Sequence, residues 1–134
     1  MIVEINSIEQ AENVYNKIAN NEILLSVAKN CTEFNNIDGD HIDIDQVQCV
    51  AQTLVDIADY GLMVGYNGFI RTEQLVEFFN EHQKAIAEQL EDDGSMDDDL
   101  TMYDIVAHTD KFKACCVIRA VENACGELEY RLEQ

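Results

Sequence analysis

The side chains that resemble metal ligands lie together in an acidic stretch around residue 40. A calcium-binding EF-hand loop requires oxygen ligands at positions 1, 3 and 5, glycine at position 6 and glutamate at position 12. Counted from Asp38, position 6 is Asp43 and position 12 is Cys49, and a register that starts two residues earlier fails at the same positions. His41, Asp43 and Asp45 share one face of an extended chain, but transition-metal sites usually need three or four ligands in a defined geometry. We therefore predict no metal site and no bound cofactor.

Cysteine is the other candidate for chemistry, and the chain has five. An odd number of cysteines without a secretory signal favours reduced thiols in the cytosol. Cys115 and Cys116 are adjacent, and in a helix their side chains would point about 100° apart, one toward the core and the other toward a groove. No motif for a serine nucleophile or a phosphate-binding loop is present. A Cys115–His pair stays open as an alternative, because such partners are often distant in sequence. We expect a protein that is not an enzyme and has no catalytic residues.

Acidic residues dominate the charge of the chain, with 27 Asp and Glu against 8 Lys and Arg and a net charge of −19. Two stretches contain no basic residue, one between Lys29 and Arg71 and one between Lys84 and Lys111. Direct binding to nucleic acid or to anionic membranes is disfavoured, because both need a basic patch on the protein. The predicted partner is therefore a basic surface. The aspartates that we predict to contact it come from the two stretches: Asp38, Asp40, Asp43, Asp45, Asp92, Asp93, Asp97, Asp98 and Asp99.

A glycine-rich segment, residues 61–70, combines three glycines with large apolar side chains. One interpretation is a structural turn, in which glycine permits a positive φ and Phe69 and Ile70 enter the core. The other is a recognition loop with Tyr66 and Asn67 exposed. Tyr66 is the candidate anchor for a partner, because tyrosine is enriched at interface hot spots. The two interpretations are compatible.

The elements that must position these groups are helices. Proline, the strongest helix breaker, is absent, and apolar residues recur at a spacing of three to four. We predict one all-α domain, residues 1–134, built as a compact bundle of five to six helices with at most a minor β-element near Phe69. Thr72 is predicted to cap one long helix that reaches Leu90. The first helix is predicted to start at Ser7, which forms a capping box with Gln10, and the second helix follows Asn20–Asn21. The remaining helices are predicted to start at Asp43 or Asp45, at Thr101 and at approximately Phe112.

Residues 57–86 resemble the core of an uncharacterised protein family found largely in bacteriophages and related mobile elements. That family repeats a pattern written hGxxxGhxGFIxxxDTVxFFxxHxxxI. The matching positions are Gly61, Gly65, Gly68, Phe69, Ile70, Val76, Phe78, Phe79, His82 and Ile86. The family usually has Tyr-Tyr and then an acid–Thr pair after the Phe-Ile step, where this chain has Arg71, Thr72, Glu73 and Gln74. The resemblance implies a phage accessory protein and supplies no catalytic residues.

The expected function is inhibition of a host defence nuclease complex, of the anti-CRISPR or antirestriction kind, in the cytosol of the host cell. The acidic side chains would occupy a basic surface that otherwise binds nucleic acid, as a nucleic-acid mimic. Two alternatives remain open: a small metal-dependent or cysteine-based enzyme, and a structural or adaptor protein of a phage. A homodimer is also left open.

Overall fold

The computed structural model describes residues 1–66, 68–92 and 109–133. Within these ranges the chain forms six α-helices and no strand, so the all-α prediction is confirmed and the segment around Phe69 is an irregular turn. The fifth predicted helix, from Thr101, lies outside the described residues. The helices, with one 3₁₀ turn, are α1 (Ile8–Ala19), α2 (Glu22–Cys31), the 3₁₀ turn (Phe34–Asn36), α3 (Ile44–Tyr60), α4 (Thr72–Glu81), α5 (Gln83–Asp92) and α6 (Asp110–Leu132).

The long helix α6 is the centre of the bundle. It packs against α2, α3, α4 and α5, while α1 packs against α2 and α3. Its central position follows from its sequence, which places small and apolar side chains at helical spacing along most of its length. The buried residues of α6 are Ala114, Cys116, Val117, Ala120, Val121, Ala124, Cys125 and Leu128. None of the described helices is long and apolar enough to cross a membrane.

Side-chain caps fix most of the helix starts. Ser7 Oγ accepts the N–H of Gln10 at 3.1 Å, which confirms the predicted start of α1. In a capping box, the side chain of the third helical residue accepts the backbone N–H of the cap residue. Here the Gln10 side chain accepts the N–H of Asn6, one residue before the cap Ser7, at 2.8 Å. Of the two aspartates predicted for α3, Asp43 is the cap, and its Oδ1 accepts the N–H of Gln46 at 3.2 Å.

The helix predicted from Thr72 to Leu90 is wrong in two respects. Its cap is Arg71, whose N–H donates to the Gln74 side chain at 3.0 Å, and Thr72 is the first helical residue. The helix is also divided in two at His82, where the backbone has φ −126° and ψ 29°. Nothing in the local spacing indicates this break, because the apolar face of α4 continues into α5.

Aromatic side chains fill the core beside α6. Phe69, Phe78, Phe79 and Ile86 are 4%, 4%, 0% and 0% exposed, as predicted. The rings of Phe69 and Phe78 meet edge to face, with centroids 5.1 Å apart. Ile70, which was expected in the core, is instead exposed.

An extended segment at the start of the chain is bound by two glutamines of α3. The N–H groups of Val3 and Ile5 donate to the side chains of Gln52 and Gln48 at 2.8 and 3.1 Å. Gln52 Nε2 also donates to the carbonyl oxygen of Met1 at 3.0 Å. Because Gln48 and Gln52 are one helical turn apart, they meet alternate residues of the extended segment, and the side chains of these two residues, Val3 and Ile5, are buried. The segment thus covers one face of α3.

Candidate functional site

The predicted contact residues of the first acidic stretch lie in an exposed segment, residues 38–45, which runs from the loop after the 3₁₀ turn into the first turn of α3. Asp38, Asp40, Asp43 and Asp45 are all exposed, and none forms an ion pair with another described residue. The half-buried side chains of Ile37, Ile42 and Ile44 pack against the core. Asp43 and Asp45 alternate with two of these isoleucines and therefore face outward. We call residues 38–45 the acidic loop.

Hydrogen bonds hold the backbone of the acidic loop in a defined shape. Asp38 Oδ1 accepts the N–H of Asp40 at 2.9 Å, and the Asp38 carbonyl oxygen accepts the N–H of His41 at 3.1 Å. At the other end, Asp43 caps α3. Two of the four aspartates therefore shape the loop, and each keeps a second carboxylate oxygen for a partner.

The acidic loop also rests on aromatic rings. The Tyr15 and Phe34 rings stack with centroids 5.2 Å apart and an interplanar angle of 13°. Gly39 lies against the Tyr15 ring of this pair, so closely that a Cβ atom at Gly39 would be 3.1 Å from the Tyr15 hydroxyl. Phe34 is buried, so the contact ties the loop to the core. The acidic loop is consequently preorganised.

The second acidic stretch lies only partly within the described residues. Asp92 is the last residue of α5, and the other four predicted contact residues, Asp93, Asp97, Asp98 and Asp99, lie outside the described residues. The structure therefore places the first group of aspartates and leaves the second as a prediction.

One carboxylate of the first stretch already has a cationic partner. The Met1 amino group lies 3.1 Å from Asp59 Oδ2. A hydrogen bond and the charge of Asp59 raise the pKa of that amino group. Glu129 is a further neighbour, and its pKa is raised by burial and by a hydrogen bond with Asp59. Asp59 is thus less suited to a basic partner than the acidic loop.

The glycine-rich segment is an irregular turn that is packed tightly against two helices. Gly61 ends α3 with φ 98°, the left-handed region that favours glycine. A Cβ at Gly65 would lie 2.7 Å from Ile57 Cδ1, and one at Gly68 would lie 2.8 Å from Asn30 Cβ. Both positions therefore need glycine because of close approach.

Tyr66 was predicted to be exposed, but it is half-buried and its ring packs against the core. Its hydroxyl is buried and has no hydrogen-bond partner among the described residues. Burial raises the pKa of Tyr66. Asn67 lies outside the described residues. The structural interpretation of the turn accounts for Tyr66, and its role as a partner anchor stays a prediction.

His82 joins two helices that are distant in sequence. Its Nε2 lies 3.1 Å from Ser26 Oγ, and its Nδ1 lies 3.2 Å from Glu22 Oε1. The ring also packs on Phe78, with centroids 4.6 Å apart. Glu22 and Ser26 are one turn apart on α2, so both can reach one imidazole.

This serine–histidine–glutamate order is the one that hydrolases use to activate a serine. Ser26, however, lies inside α2, where backbone N–H groups donate to carbonyl oxygens one turn earlier. Those amides cannot also stabilise an oxyanion. We therefore interpret His82 as a link between α2 and the junction of α4 and α5, which the sequence pattern did not reveal.

The five cysteines lie in helices as free thiols. Cys116 is buried and Cys115 is exposed, as the angle between adjacent helical side chains requires. Burial raises the pKa of Cys116 and that of Cys125, so both thiols stay protonated at neutral pH. A protonated buried thiol is a poor nucleophile.

No group of three or more potential metal ligands occurs among the described residues. His41, Asp43 and Asp45 are all exposed, and Asp43 is engaged as a helix cap. The three side chains thus do not converge on one point.

A polar groove of about 830 Å³ lies where α6 passes α1. Lys17 and Arg131 both line it, together with Asn123, Glu127 and Tyr130. Two cations on one polar surface do not suit a basic partner, so this groove is not the surface that the charge of the chain predicts.

Comparison with protein families places these features in a wider context. A family model described as a domain of unknown function (DUF7222) matches residues 20–134. The chain belongs to the DUF7222 family. Searches of curated proteins and of solved structures found no match. The acidic loop, the glycine-rich turn and His82 all lie inside the DUF7222 match, whereas α1 and the extended segment before it precede the match.

Proposed function

We propose that this DUF7222 protein is a phage-encoded inhibitor that occupies a basic, nucleic-acid-binding surface of a host defence complex. A CRISPR effector or a restriction enzyme is the class of target. The observation that carries the proposal is the acidic loop, which presents four exposed and unpaired carboxylates on a backbone held by hydrogen bonds and ring packing. A preorganised loop loses little conformational entropy when it binds.

Electrostatics supports this target. Nucleases expose basic grooves for phosphate groups, and a protein with a net charge of −19 is attracted to such grooves over long distances. Opposite potentials increase the association rate more than they slow dissociation. Duplex DNA carries one charge per about 1.7 Å of its axis, so an effective competitor needs several carboxylates close together. The acidic loop supplies such a group.

The resemblance of residues 57–86 to a phage family supports a setting in an infected bacterium. A defence complex in the host cytosol is the basic, nucleic-acid-binding target that such a setting provides. The second aspartate group, Asp92 to Asp99, belongs to the same proposal as an additional contact.

The proposal is tested by measuring DNA binding and cleavage by purified CRISPR effectors and restriction enzymes, with and without the protein. The informative variant replaces Asp38, Asp40, Asp43 and Asp45 with asparagine. Asparagine keeps the side-chain oxygen that accepts the Asp40 and Gln46 N–H groups, so the loop should keep its shape. We expect this variant to associate with the inhibited complex at least about tenfold more slowly at low salt.

A matched control replaces four exposed glutamates of α1 and α4 with glutamine: Glu9, Glu12, Glu73 and Glu77. It changes the net charge equally and should retain most of the inhibition. Equal effects of the two variants would mean that net charge acts without the loop. Inhibition that is insensitive to salt and to both variants, or no inhibition of any defence complex, would contradict the proposal.

A further inference from the structure

Large apolar side chains are exposed together around the glycine-rich turn. Tyr60, Met63, Val64 and Ile70 are 73%, 68%, 53% and 61% exposed. Single exposed apolar residues are common on proteins, but a contiguous group usually marks an interaction surface. Such a group is unexpected on a chain so rich in charge.

Three of these side chains form the rim of a groove of about 460 Å³ between α3, the turn, α4 and α6. Tyr60, Met63 and Ile70 lie on the rim. The groove is lined beneath them by the apolar residues Leu62, Phe69, Leu75 and Ile118.

The walls of the groove are already in place. The Leu62 N–H donates to Glu122 Oε1 of α6 at 3.3 Å, which holds the turn on the bundle. Phe69 is held by its edge-to-face contact with Phe78. Gly65 is packed against α3. A partner would thus enter a preformed site.

The chemistry of the lining identifies the occupant. Glu122 is the charged residue among those that line this groove, and the other lining side chains are apolar apart from Thr72 and the Tyr60 hydroxyl. A carboxylate has more than one acceptor position, so Glu122 can bind a cation while it holds Leu62. Lysine and arginine combine an aliphatic stem with a cationic head, which matches an apolar groove with one carboxylate.

We propose that this groove binds a lysine or arginine side chain, next to an apolar residue, of a basic polypeptide partner. The inference rests on the proposed function and names a second contact of the same partner. The helix α3 has 17 residues and separates the two sites, so the acidic loop and the groove lie about 25 Å apart. A macromolecular partner spans that distance.

A second copy of the chain is the less favourable occupant. Each copy carries a net charge of −19, and the repulsion opposes self-association. A basic partner meets no such barrier.

The test uses the ¹⁵N-labelled protein and two short end-capped peptides, one of alternating lysine and leucine and one of alternating lysine and serine. We expect the lysine–leucine peptide to shift the amide signals of Leu62, Ile70 and Ile118, and the lysine–serine peptide to leave them in place. Glu122→Gln keeps the acceptor for the Leu62 N–H and should weaken lysine–leucine binding about fivefold or more. Ile70→Ser should also weaken it, whereas Ile8→Ser, which alters an exposed isoleucine of α1, should not.

Shifts confined to other surfaces, unchanged affinity of both groove variants, or a concentration-dependent dimer that buries the groove would overturn the inference. The same variants separate it from the proposed function. In one outcome, the Glu122→Gln and Ile70→Ser variants inhibit a defence complex as well as the unmodified protein does, while the four-asparagine variant does not inhibit it. That result would show that the groove does not contact the partner, and the inhibitor proposal would stand.

Discussion

His82 shows how one side chain can define a junction. It ends α4, and its ring bonds both Ser26 and Glu22 of α2 while it packs on Phe78. In the tautomer with a proton on Nδ1, His82 donates to Glu22 and accepts the Ser26 hydroxyl proton. The break between α4 and α5 and the link to α2 thus occur at the same residue.

Replacing His82 with alanine should reduce the free energy of unfolding by about 1–3 kcal/mol, because the half-buried Ser26 hydroxyl loses its partner. His41→Ala is the control, since His41 is exposed in the acidic loop, and its effect should stay below about 0.5 kcal/mol. Urea unfolding of both variants measures the difference. Similar values for the two histidines would show that the link contributes nothing to stability.

At the scale of elements, the glycines of the turn allow close packing because they have no Cβ atom. Gly65 lets the turn lie directly on α3, where a Cβ would be 2.7 and 2.8 Å from two atoms of the buried Ile57. Gly126, inside α6, has a different environment, because a Cβ there would meet nothing within 4 Å. The same substitution should therefore have opposite effects at the two positions.

Gly65→Ala should destabilise the protein by about 1–3 kcal/mol through overpacking against α3. Gly126→Ala should stabilise it by about 0.5–1 kcal/mol, because alanine loses less backbone entropy than glycine in a helix. Thermal and urea unfolding of the two variants check the prediction. A tolerated Gly65→Ala would mean that the turn can move away from α3, and the groove beside it would then not be preformed.

At the scale of the whole molecule, charge is the dominant property. The many carboxylates of a chain with a net charge of −19 repel one another in the folded state. The Met1 amino group pairs with Asp59, and His82 forms ion pairs with Glu22 and Glu81 only when its ring is protonated. Salt shortens the distance over which the charges repel one another, from about 30 Å at 0.01 M to about 3 Å at 1 M.

The unfolding temperature should consequently rise by several degrees between about 0.01 M and about 1 M NaCl. The four-asparagine variant of the acidic loop should be more stable than the unmodified protein at low salt and should gain less from added salt. Calorimetry at a series of salt concentrations tests both expectations. An unfolding temperature that falls with salt would show that favourable ion pairs outweigh the repulsion.

The sequence predicts those features of the candidate sites that depend on residues close together in the chain. The exposure of Asp43 and Asp45 follows from their alternation with Ile42 and Ile44 and from the cap at Asp43. The exposure that the recognition-loop interpretation gives Tyr66 is wrong, because its ring packs against the core. The groove around Ile70 was not foreseen, because its walls come from segments as distant as Leu62 and Ile118.

The sequence by itself determined the all-α class, the starts of α1 and α3, the buried face of Phe78, Phe79 and Ile86, and the strong negative charge. These properties arise from helix caps, apolar periodicity and composition, which act within a few residues. Tertiary structure alone decided the break at His82, the hold of Gln48 and Gln52 on the first residues, and the apolar groove closed by Glu122. Each of these joins groups that lie more than 40 residues apart in the chain. Contacts of that kind leave no periodic signal, because each pairs a polar side chain with a group that is far away in the sequence.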